Sequence, residues 1–115
     1  MLLSFPREIG LRRHLCHTKK DMANYIKSVN GKASCYTSLY SFENINPNKK
    51  WKVDIESVII DRAWWDFDST EDYDIVQVKK DVAELLSKLT GDVRVVATGR
   101  GFHIHQLFQQ PVKGV

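Results

Sequence analysis

The sequence predicts an α+β fold built on one small mixed β-sheet, with helices packed on one face. Two observations lead to this prediction. An amphipathic helix lies between two segments of strand-forming residues, and a glycine-rich turn joins the second segment to a third. A strand, crossover helix and second strand favour parallel pairing, whereas the glycine turn favours an antiparallel hairpin. At 115 residues, the chain has the length of one domain or of part of one.

In the first half of the chain, the patterns predict a short helix, a strand and a loop. Apolar residues recur at helical spacing over residues 18–29, and Asn30-Gly31 follows as a stop signal. Residues 34–40 show an alternating pattern of side chains and are rich in strand-forming types, which predicts a strand. Residues 44–50 are polar and contain Pro47, which predicts a loop.

The second half of the chain carries the stronger signals. Residues 51–67 favour extended structure and predict one long or bent strand, in which residues 58–60 and 63–65 are best suited to burial. Residues 74–90 carry a single apolar stripe, with acidic residues in the first turn and Gly91 at the end, and predict a helix. The remaining predictions are a buried strand at 93–97, a turn at 98–101, and an alternating strand at 102–108 that stops at Pro111.

Composition predicts a soluble cytoplasmic protein with no membrane partner. No apolar run approaches the roughly 20 residues of a membrane span, and the first ten residues lack a signal-peptide pattern. Residues 1–56 carry ten Lys and Arg against five Asp and Glu, whereas residues 57–115 carry seven against nine. A basic half beside an acidic half suits a protein that holds a polyanion with one part and a metal cation with the other.

The cysteines do not define a site by themselves. Cys16 and Cys35 lack the paired spacing of a metal knuckle or a disulfide framework, so both are predicted to be reduced thiols. His14, Cys16 and His17 are close in sequence, but three potential ligands of unknown local shape form a weak metal pattern. Surface or packing roles are therefore predicted for these three residues.

A pair of carboxylates forms the first chemical motif. Asp66 and Asp68 lie at i and i+2 of a predicted strand, so both side chains point to one face, while the neighbouring aromatic residues are expected to point into the core. A hard divalent cation would stabilise such a pair, because Mg²⁺ and Mn²⁺ prefer oxygen ligands. The alternative, acids that only cap the following helix, stays open. The tryptophans predicted to lie in the core are Trp51, Trp64 and Trp65.

The second motif is the segment T-G-R-G-F-H-I-H at residues 98–105. Its glycines would let the backbone approach a ligand closely, and Arg100 can grip phosphate oxygens through two nitrogens. His103 and His105 share one strand face and can donate to a phosphate. Taken alone, the segment favours a simpler interpretation, in which the glycines serve only the turn and the histidines lie on a half-exposed face.

In this order and spacing, the two motifs resemble the first two motifs of the archaeo-eukaryotic primase superfamily. The matching features are two acids in an apolar strand, a helix, and then T-G-R-G-F-H at residues 98–103. Residues 36–42 are also similar to the strand that precedes the acidic motif in primase-polymerases, so the resemblance covers most of residues 34–108. It implies a primase/RRM-like palm core and template-directed nucleotide addition with two divalent metals, as in a DNA primase or primase-polymerase.

The resemblance also implies roles for individual residues. In that family the motif acids bind divalent metals and the motif histidine contacts the phosphates of the incoming nucleotide. These catalytic roles fall on Asp66, Asp68 and His103, with Mg²⁺ or Mn²⁺ as the cofactor at the two carboxylates. The implied partners are a nucleoside triphosphate and a single-stranded DNA template. Further nucleotide-binding candidates by position are Thr98, Gly99, Arg100 and His105.

The family has a third acidic motif on a later strand, and in this sequence no acid follows Asp92. We therefore expect an incomplete core: residues 1–115 are a single primase-like catalytic domain or a fragment of one. Its basic part is 1–56, and its strand-helix-strand-strand half-site for metal and nucleotide is 57–110. The missing ligand is expected from an absent carboxy-terminal part or from a second primase subunit, and catalysis by these residues alone is not expected.

Two other functions compete with the primase interpretation. One is a non-catalytic nucleic-acid-binding module of related fold, and the other is a metal-dependent phosphoesterase that uses the histidines with the acids. A basic face that holds template backbone, with an aromatic ring that stacks on a base, would serve a primase or a binding module. Such basic residues more often form a solvated helix face, and packing of the ring is at least as open. The candidate nucleic-acid-binding residues are Arg12, Arg13, Lys19, Lys20 and Tyr36.

Overall fold

The computed structural model describes residues 3–46, 48 and 52–113, so Trp51 and part of the predicted loop lie outside the described residues. The predicted α+β class is confirmed, and both predicted helices are present. In the part of the chain that the structure describes, no helix has the length and apolarity needed to cross a membrane. The elements are β1 (Arg7–Ile9), β2 (His14–Cys16), α1 (Lys19–Val29), β3 (Ser41–Phe42), a 3₁₀ turn (Ile55–Ser57), β4 (Val58–Asp68), α2 (Ile75–Lys88), β5 (Asp92–Ala97) and β6 (Gly101–Lys113).

The chain separates into two compact units. Unit 1 comprises Met1–Ile60 and Pro111–Val115, and unit 2 comprises Asp61–Gln110. Strands β4 and β6 each contribute residues to both units. The catalytic and nucleotide-binding candidates all belong to unit 2, and the nucleic-acid-binding candidates all belong to unit 1.

Unit 1 contains a small antiparallel hairpin with a helix against it. Strand β1 pairs with β2, which places Arg7 opposite Cys16. Helix α1 begins after Thr18, whose hydroxyl accepts a hydrogen bond of 3.1 Å from the backbone N–H of Asp21. The helix contacts β2 but buries none of its residues fully. The expectation that the helices share one face of a sheet is therefore wrong for α1.

The predicted strand at residues 34–40 is wrong. Within this segment only Thr37 forms a bridge, to Ile9, and β3 begins at Ser41. Side-chain hydrogen bonds to the backbone accompany the difference: the Ser38 hydroxyl donates to the carbonyl of Tyr40 at 2.8 Å and accepts from the N–H of Glu8 in β1 at 3.2 Å. Serine and threonine hydroxyls that bond to nearby backbone groups compete with regular strand pairing.

Unit 2 is a sheet covered by α2. Val78 and Val82 of α2 pack against Ile104 of β6, and all three side chains are buried. This spacing on the helix and the alternation of β6 explain why these residues form the core. Half-buried apolar residues that surround them are Trp65, Phe67, Tyr73, Leu85, Leu86, Leu89, Val93 and Phe102.

The strand order in unit 2 differs from the prediction. Strand β6 lies between β4 and β5, so the two strands joined by α2 are not paired in parallel. Strands β5 and β6 form the predicted antiparallel hairpin, in which Val96 pairs with His103. Gly101 permits β6 to lie beside β4, because a Cβ at this position would overlap the backbone carbonyl of Phe67. All three pairings whose registers are described, β1–β2, β3–β4 and β5–β6, are antiparallel, so the predicted mixed sheet is not observed among them.

Two strand boundaries also differ from the prediction. Strand β4 starts at Val58, after a 3₁₀ turn capped by Asp54, whose carboxylate accepts from the N–H of Glu56 at 3.1 Å. Strand β6 continues through Pro111 to Lys113, whose ammonium lies 2.7 Å from a carboxylate oxygen of Glu43 in unit 1. Proline lacks only the N–H donor, so a strand can continue through it wherever that donor is not needed for pairing.

Candidate functional site

The alternation of β4 separates its side chains into two sets. Trp65 and Phe67 pack on the core under α2, whereas Trp64 is 40% exposed on the opposite side of the strand. Asp66 and Asp68 share the side of Trp64 and are also exposed. The prediction that Trp64 lies in the core is therefore wrong, because a period of two places it with the acids.

Strand β6 presents the histidines on the same side. Ile104 is buried against α2, so its neighbours His103 and His105 point to the other side of the strand. The ring nitrogen Nε2 of His103 lies 3.3 Å from Oδ1 of Asp66, which joins the two motifs directly. We call the side of β4 and β6 that faces away from α2 the open face. Its residues are Arg62, Trp64, Asp66, Asp68, His103 and His105.

The glycine turn lies beside the end of β4. The backbone N–H of Ser69 donates to the carbonyl of Arg100 at 2.9 Å, which holds the turn next to Asp68. Within the turn, the Thr98 hydroxyl accepts from the N–H of Gly101 at 3.0 Å, so this hydroxyl is already used in structure. Gly99 is exposed, and a Cβ there would meet nothing within 4 Å. The Arg100 side chain is exposed.

Two residues of the open face, Arg62 and His105, form a buried layer that was not predicted from the sequence. The guanidinium of Arg62, 2% exposed, forms two hydrogen bonds with the carboxylate of Asp61, at 2.9 and 3.1 Å. A third nitrogen of Arg62 lies 3.3 Å from Nδ1 of His105. Burial lowers the pKa of His105, and the charges of Arg62 and then of His103 lower it further. An arginine can only donate, so Nδ1 of His105 accepts from Arg62, and the lowered pKa favours the neutral ring.

This buried layer changes the predicted role of one residue. His105 was a nucleotide-binding candidate, but it is only 7% exposed and its Nδ1 faces Arg62. Its ring also lies 6.4 Å from the rings of Trp64 and His103, measured between centroids. The geometry favours His105 as a residue that positions its neighbours on the open face. An arginine within an apolar strand is the sequence signal that could have marked Arg62 as a buried, paired residue.

The charges on the open face suit a cation. Asp68 has no ion-pair or hydrogen-bond partner for its carboxylate among residues 3–46, 48 and 52–113, and the contact of Asp66 is with the His103 ring. Two exposed carboxylates on one strand face offer the oxygen ligands that Mg²⁺ and Mn²⁺ prefer. The residues present therefore fit a hard divalent cation held by Asp66 and Asp68. At the edge of the sheet, Nε of Arg94 lies 2.8 Å from Oδ1 of Asp92, so these two charges compensate each other.

The candidate nucleic-acid-binding residues of unit 1 do not form one uniform basic surface. Arg13 donates from Nε and Nη2 to the Glu8 carboxylate, at 2.7 and 2.5 Å, so its charge is compensated. Arg12 borders an apolar groove of about 460 Å³ that is also lined by Tyr25. The ring of Tyr36 is 68% exposed. Lys19 and Lys20 are exposed in the first turn of α1.

Comparisons with models of known protein families, with curated proteins and with solved structures found no match to this chain. A functional assignment therefore depends on the residues and geometry of the open face. The part that the tertiary structure adds to the two sequence motifs is their contact through Asp66 and His103.

Proposed function

We propose that the open face of unit 2 is the metal-and-nucleotide half of a nucleotidyl-transfer site of the archaeo-eukaryotic primase type. The observation that carries the proposal is the 3.3 Å approach of His103 Nε2 to Asp66 Oδ1. This contact places the glycine-rich motif beside the acidic motif, although a helix and a strand separate them in sequence. In the proposed site Asp66 and Asp68 hold Mg²⁺ or Mn²⁺, and His103 contacts the phosphates of a nucleoside triphosphate.

The arrangement assigns distinct tasks to the residues of this half-site. A divalent metal at the two carboxylates would supply activation of the attacking hydroxyl and charge neutralisation for the leaving pyrophosphate. His103 lies where an imidazole N–H can donate to a phosphate oxygen of a nucleotide bound at the metal. Arg100, exposed at the turn beside Asp68, supplies a mobile cation for the triphosphate.

The backbone around the turn provides the remaining support. The hydrogen bond from Ser69 N–H to the Arg100 carbonyl fixes the turn, and Thr98 closes it through Gly101. A Cβ at Gly99 would meet nothing within 4 Å, so the exposed backbone there leaves room for a ligand. Thr98 therefore contributes to the proposed site by shaping the turn through its hydroxyl.

Calorimetric titration of a nucleoside triphosphate with Mn²⁺ tests this function. We expect metal-dependent binding by the wild-type chain and its loss in an Asp66→Asn, Asp68→Asn double variant, which removes the charges while conserving shape. The matched control is a Glu71→Gln, Asp72→Asn double variant, which removes two exposed charges just after β4. Equal binding by the wild type and the Asp66, Asp68 variant would contradict the proposal, as would absence of binding by the folded wild type.

One observation favours a second candidate function, a nucleic-acid-binding module without catalysis. Trp64 is 40% exposed on the open face, and the ring of His103 meets it edge to face with centroids 5.7 Å apart. Exposed aromatic rings on a sheet are platforms on which bases of single strands stack, each worth about 1–3 kcal/mol. A Trp64→Ala variant should then bind a labelled single-stranded oligonucleotide roughly 5- to 150-fold more weakly by fluorescence anisotropy.

Manganese separates the two functions. A pure binding module would hold the oligonucleotide equally well with and without Mn²⁺, and equally well after the Asp66→Asn, Asp68→Asn exchange. A primase-type half-site would instead bind the triphosphate only with metal and only with both carboxylates intact. The primase proposal also includes a single-stranded template. It includes a second subunit or further chain segment as well, which would supply the remaining ligand.

A further inference from the structure

A second group of potential metal ligands lies in unit 1, in residues for which the sequence predicted only surface or packing roles. His14 and Cys16 are at i and i+2 of β2, so their side chains share one side of that strand. Asp21 lies in the first turn of α1, which contacts β2. One ligand atom from each of His14, Cys16 and Asp21 lies within 4.8 Å of the other two. Local sequence does not reveal this group, because Asp21 joins it only when α1 folds against the hairpin.

We propose that His14, Cys16 and Asp21 form a site for a borderline-soft divalent cation of the Zn²⁺ class. The site does not depend on the function proposed for unit 2, since all three residues belong to unit 1. A thiolate with an imidazole and a carboxylate is a ligand set typical of zinc, whereas Mg²⁺ and Ca²⁺ select oxygen ligands alone.

The spacing of the ligand atoms suits tetrahedral coordination. Two ligand atoms that each lie about 2.0–2.1 Å from a tetrahedral zinc ion are about 3.3 Å apart. Nε2 of His14 and Oδ1 of Asp21 are separated by 3.3 Å. This distance is also within reach of a weak hydrogen bond, so the two groups already lie as far apart as two ligands of one zinc ion. Cys16 Sγ lies within 4.8 Å of the other two ligand atoms, whereas a zinc-bound sulfur lies about 3.6 Å from a zinc-bound nitrogen or oxygen, so the thiol would move inward by at most about 1.2 Å.

Neighbouring groups orient two of the three ligands. The His14 ring stacks on Tyr25, with centroids 4.7 Å apart and planes 7° from parallel. The second carboxylate oxygen of Asp21 accepts from the backbone N–H of His17 at 3.3 Å, which leaves Oδ1 directed at His14. Such supporting contacts fix ligand orientation and raise metal affinity in zinc sites.

The surroundings specify the kind of site. Cys16 is fully buried, whereas the side chains of His14 and Asp21 are 42% and 36% exposed. Three protein ligands would leave one tetrahedral position for water or a further ligand, and the exposure of His14 and Asp21 gives solvent access to the cluster. A cation bound here would compensate the Asp21 carboxylate and hold Cys16 as a thiolate.

Titration of the reduced full-length chain with Co²⁺, a spectroscopic substitute for zinc, tests the site. We expect one equivalent to bind with a thiolate-to-metal charge-transfer band and the intense visible absorption of tetrahedral cobalt, and Zn²⁺ to displace it. His14→Gln, Asp21→Asn and Cys16→Ser should each weaken binding by about 100-fold or more, because loss of a direct ligand exceeds the roughly 10- to 100-fold cost of a supporting group. Circular dichroism of each variant checks its folding, and the exposed positions of His14 and Asp21 keep the test usable if Cys16→Ser unfolds.

Two control variants locate the site. Cys35→Ser removes the other thiol, and the Glu71→Gln, Asp72→Asn exchange removes two exposed carboxylates that belong to neither proposed site, so both should show the thiolate-to-cobalt charge-transfer band of the wild type. The proposal is overturned if the wild type shows no thiolate charge-transfer band, if His14→Gln binds normally, or if Cys35→Ser abolishes the band. Because the nucleotide titration uses other residues and another readout, failure of one proposal leaves the other testable.

Discussion

Replacing Gly101 by alanine tests how the two motifs of the open face are held together. A Cβ at Gly101 would overlap the carbonyl group of Phe67 and lie 3.2 Å from the Cα of Asp68. All of these atoms belong to the backbone, so no side chain can rotate away to make room. Strand β4 and the start of β6 would have to move apart, at the point where Asp66 meets His103.

The cost follows from that geometry. Insertion of one methyl group into a well-packed region costs about 1–3 kcal/mol, and contact with backbone on the facing strand places Gly101→Ala at the upper end. Gly99→Ala is the matched control, because a Cβ there meets nothing within 4 Å and Gly99 is not among the glycines with positive φ. That change should be neutral or stabilise by about 0.4–1 kcal/mol, through lower entropy of the unfolded chain.

Thermal and urea unfolding of the two variants measure the difference. At roughly 4 °C per kcal/mol for a chain of this size, we expect the melting temperature of Gly101→Ala to fall about 8–12 °C below that of wild type. The Gly99→Ala protein should melt at or slightly above the wild-type temperature. Equal melting temperatures for both variants would refute the reasoning, because they would mean that β4 and β6 do not approach at Gly101 as described.

Three further predictions follow from the buried groups. Ile104→Ala should destabilise the chain by about 2–5 kcal/mol in urea unfolding, against about 0.5–1.5 kcal/mol for Ile104→Val, because Ile104 is fully buried under α2; equal losses would contradict that packing. His105 has a lowered pKa in the folded chain, so its contribution to the free energy of unfolding is complete above its ordinary pKa of 6.5 and is lost as pH falls below it. His105→Gln, which can still accept from Arg62, should flatten this loss below about pH 6.5, and an unchanged profile would refute it. Cys35, which is exposed, should react with a thiol reagent well before Cys16, which is buried and has a raised pKa, as mass spectrometry of the modified peptides would show; faster reaction at Cys16 would be inconsistent with the structure.

Local periodicity accounts for what could be predicted. The apolar stripe of residues 74–90 predicted α2 within two residues at each end, since a helix is encoded by spacing that the segment itself contains. The same reasoning predicted the β5–β6 hairpin from the turn at residues 98–101. Alternation along β4 placed Asp66 and Asp68 on one face before any strand partner was known.

Alternation alone could not say which face would be covered. The sequence-based prediction assigned Trp64 to the core. On a strand whose Trp65 and Phe67 point inward, however, Trp64 must point outward with the acids. The hydrophobic character of a tryptophan outweighed its register in the sequence-based prediction. In the same way, strand-forming residues at 34–40 predicted a strand, whereas only Thr37 of this segment forms a bridge and the Ser38 hydroxyl bonds to the backbone of Tyr40 and Glu8.

The sequence by itself determined the α+β class, both helices, the hairpin turn and the shared face of Asp66 and Asp68, because each depends on neighbours a few residues away. Only the tertiary structure decided that β6 lies between β4 and β5, that Arg62 is buried against His105, and that Asp21 approaches His14 and Cys16. These arrangements depend on contacts between segments far apart in the chain. The position of β6 is stabilised by strand pairing and by the burial of Ile104 against Val78, and the absence of a Cβ at Gly101 lets β6 lie beside β4.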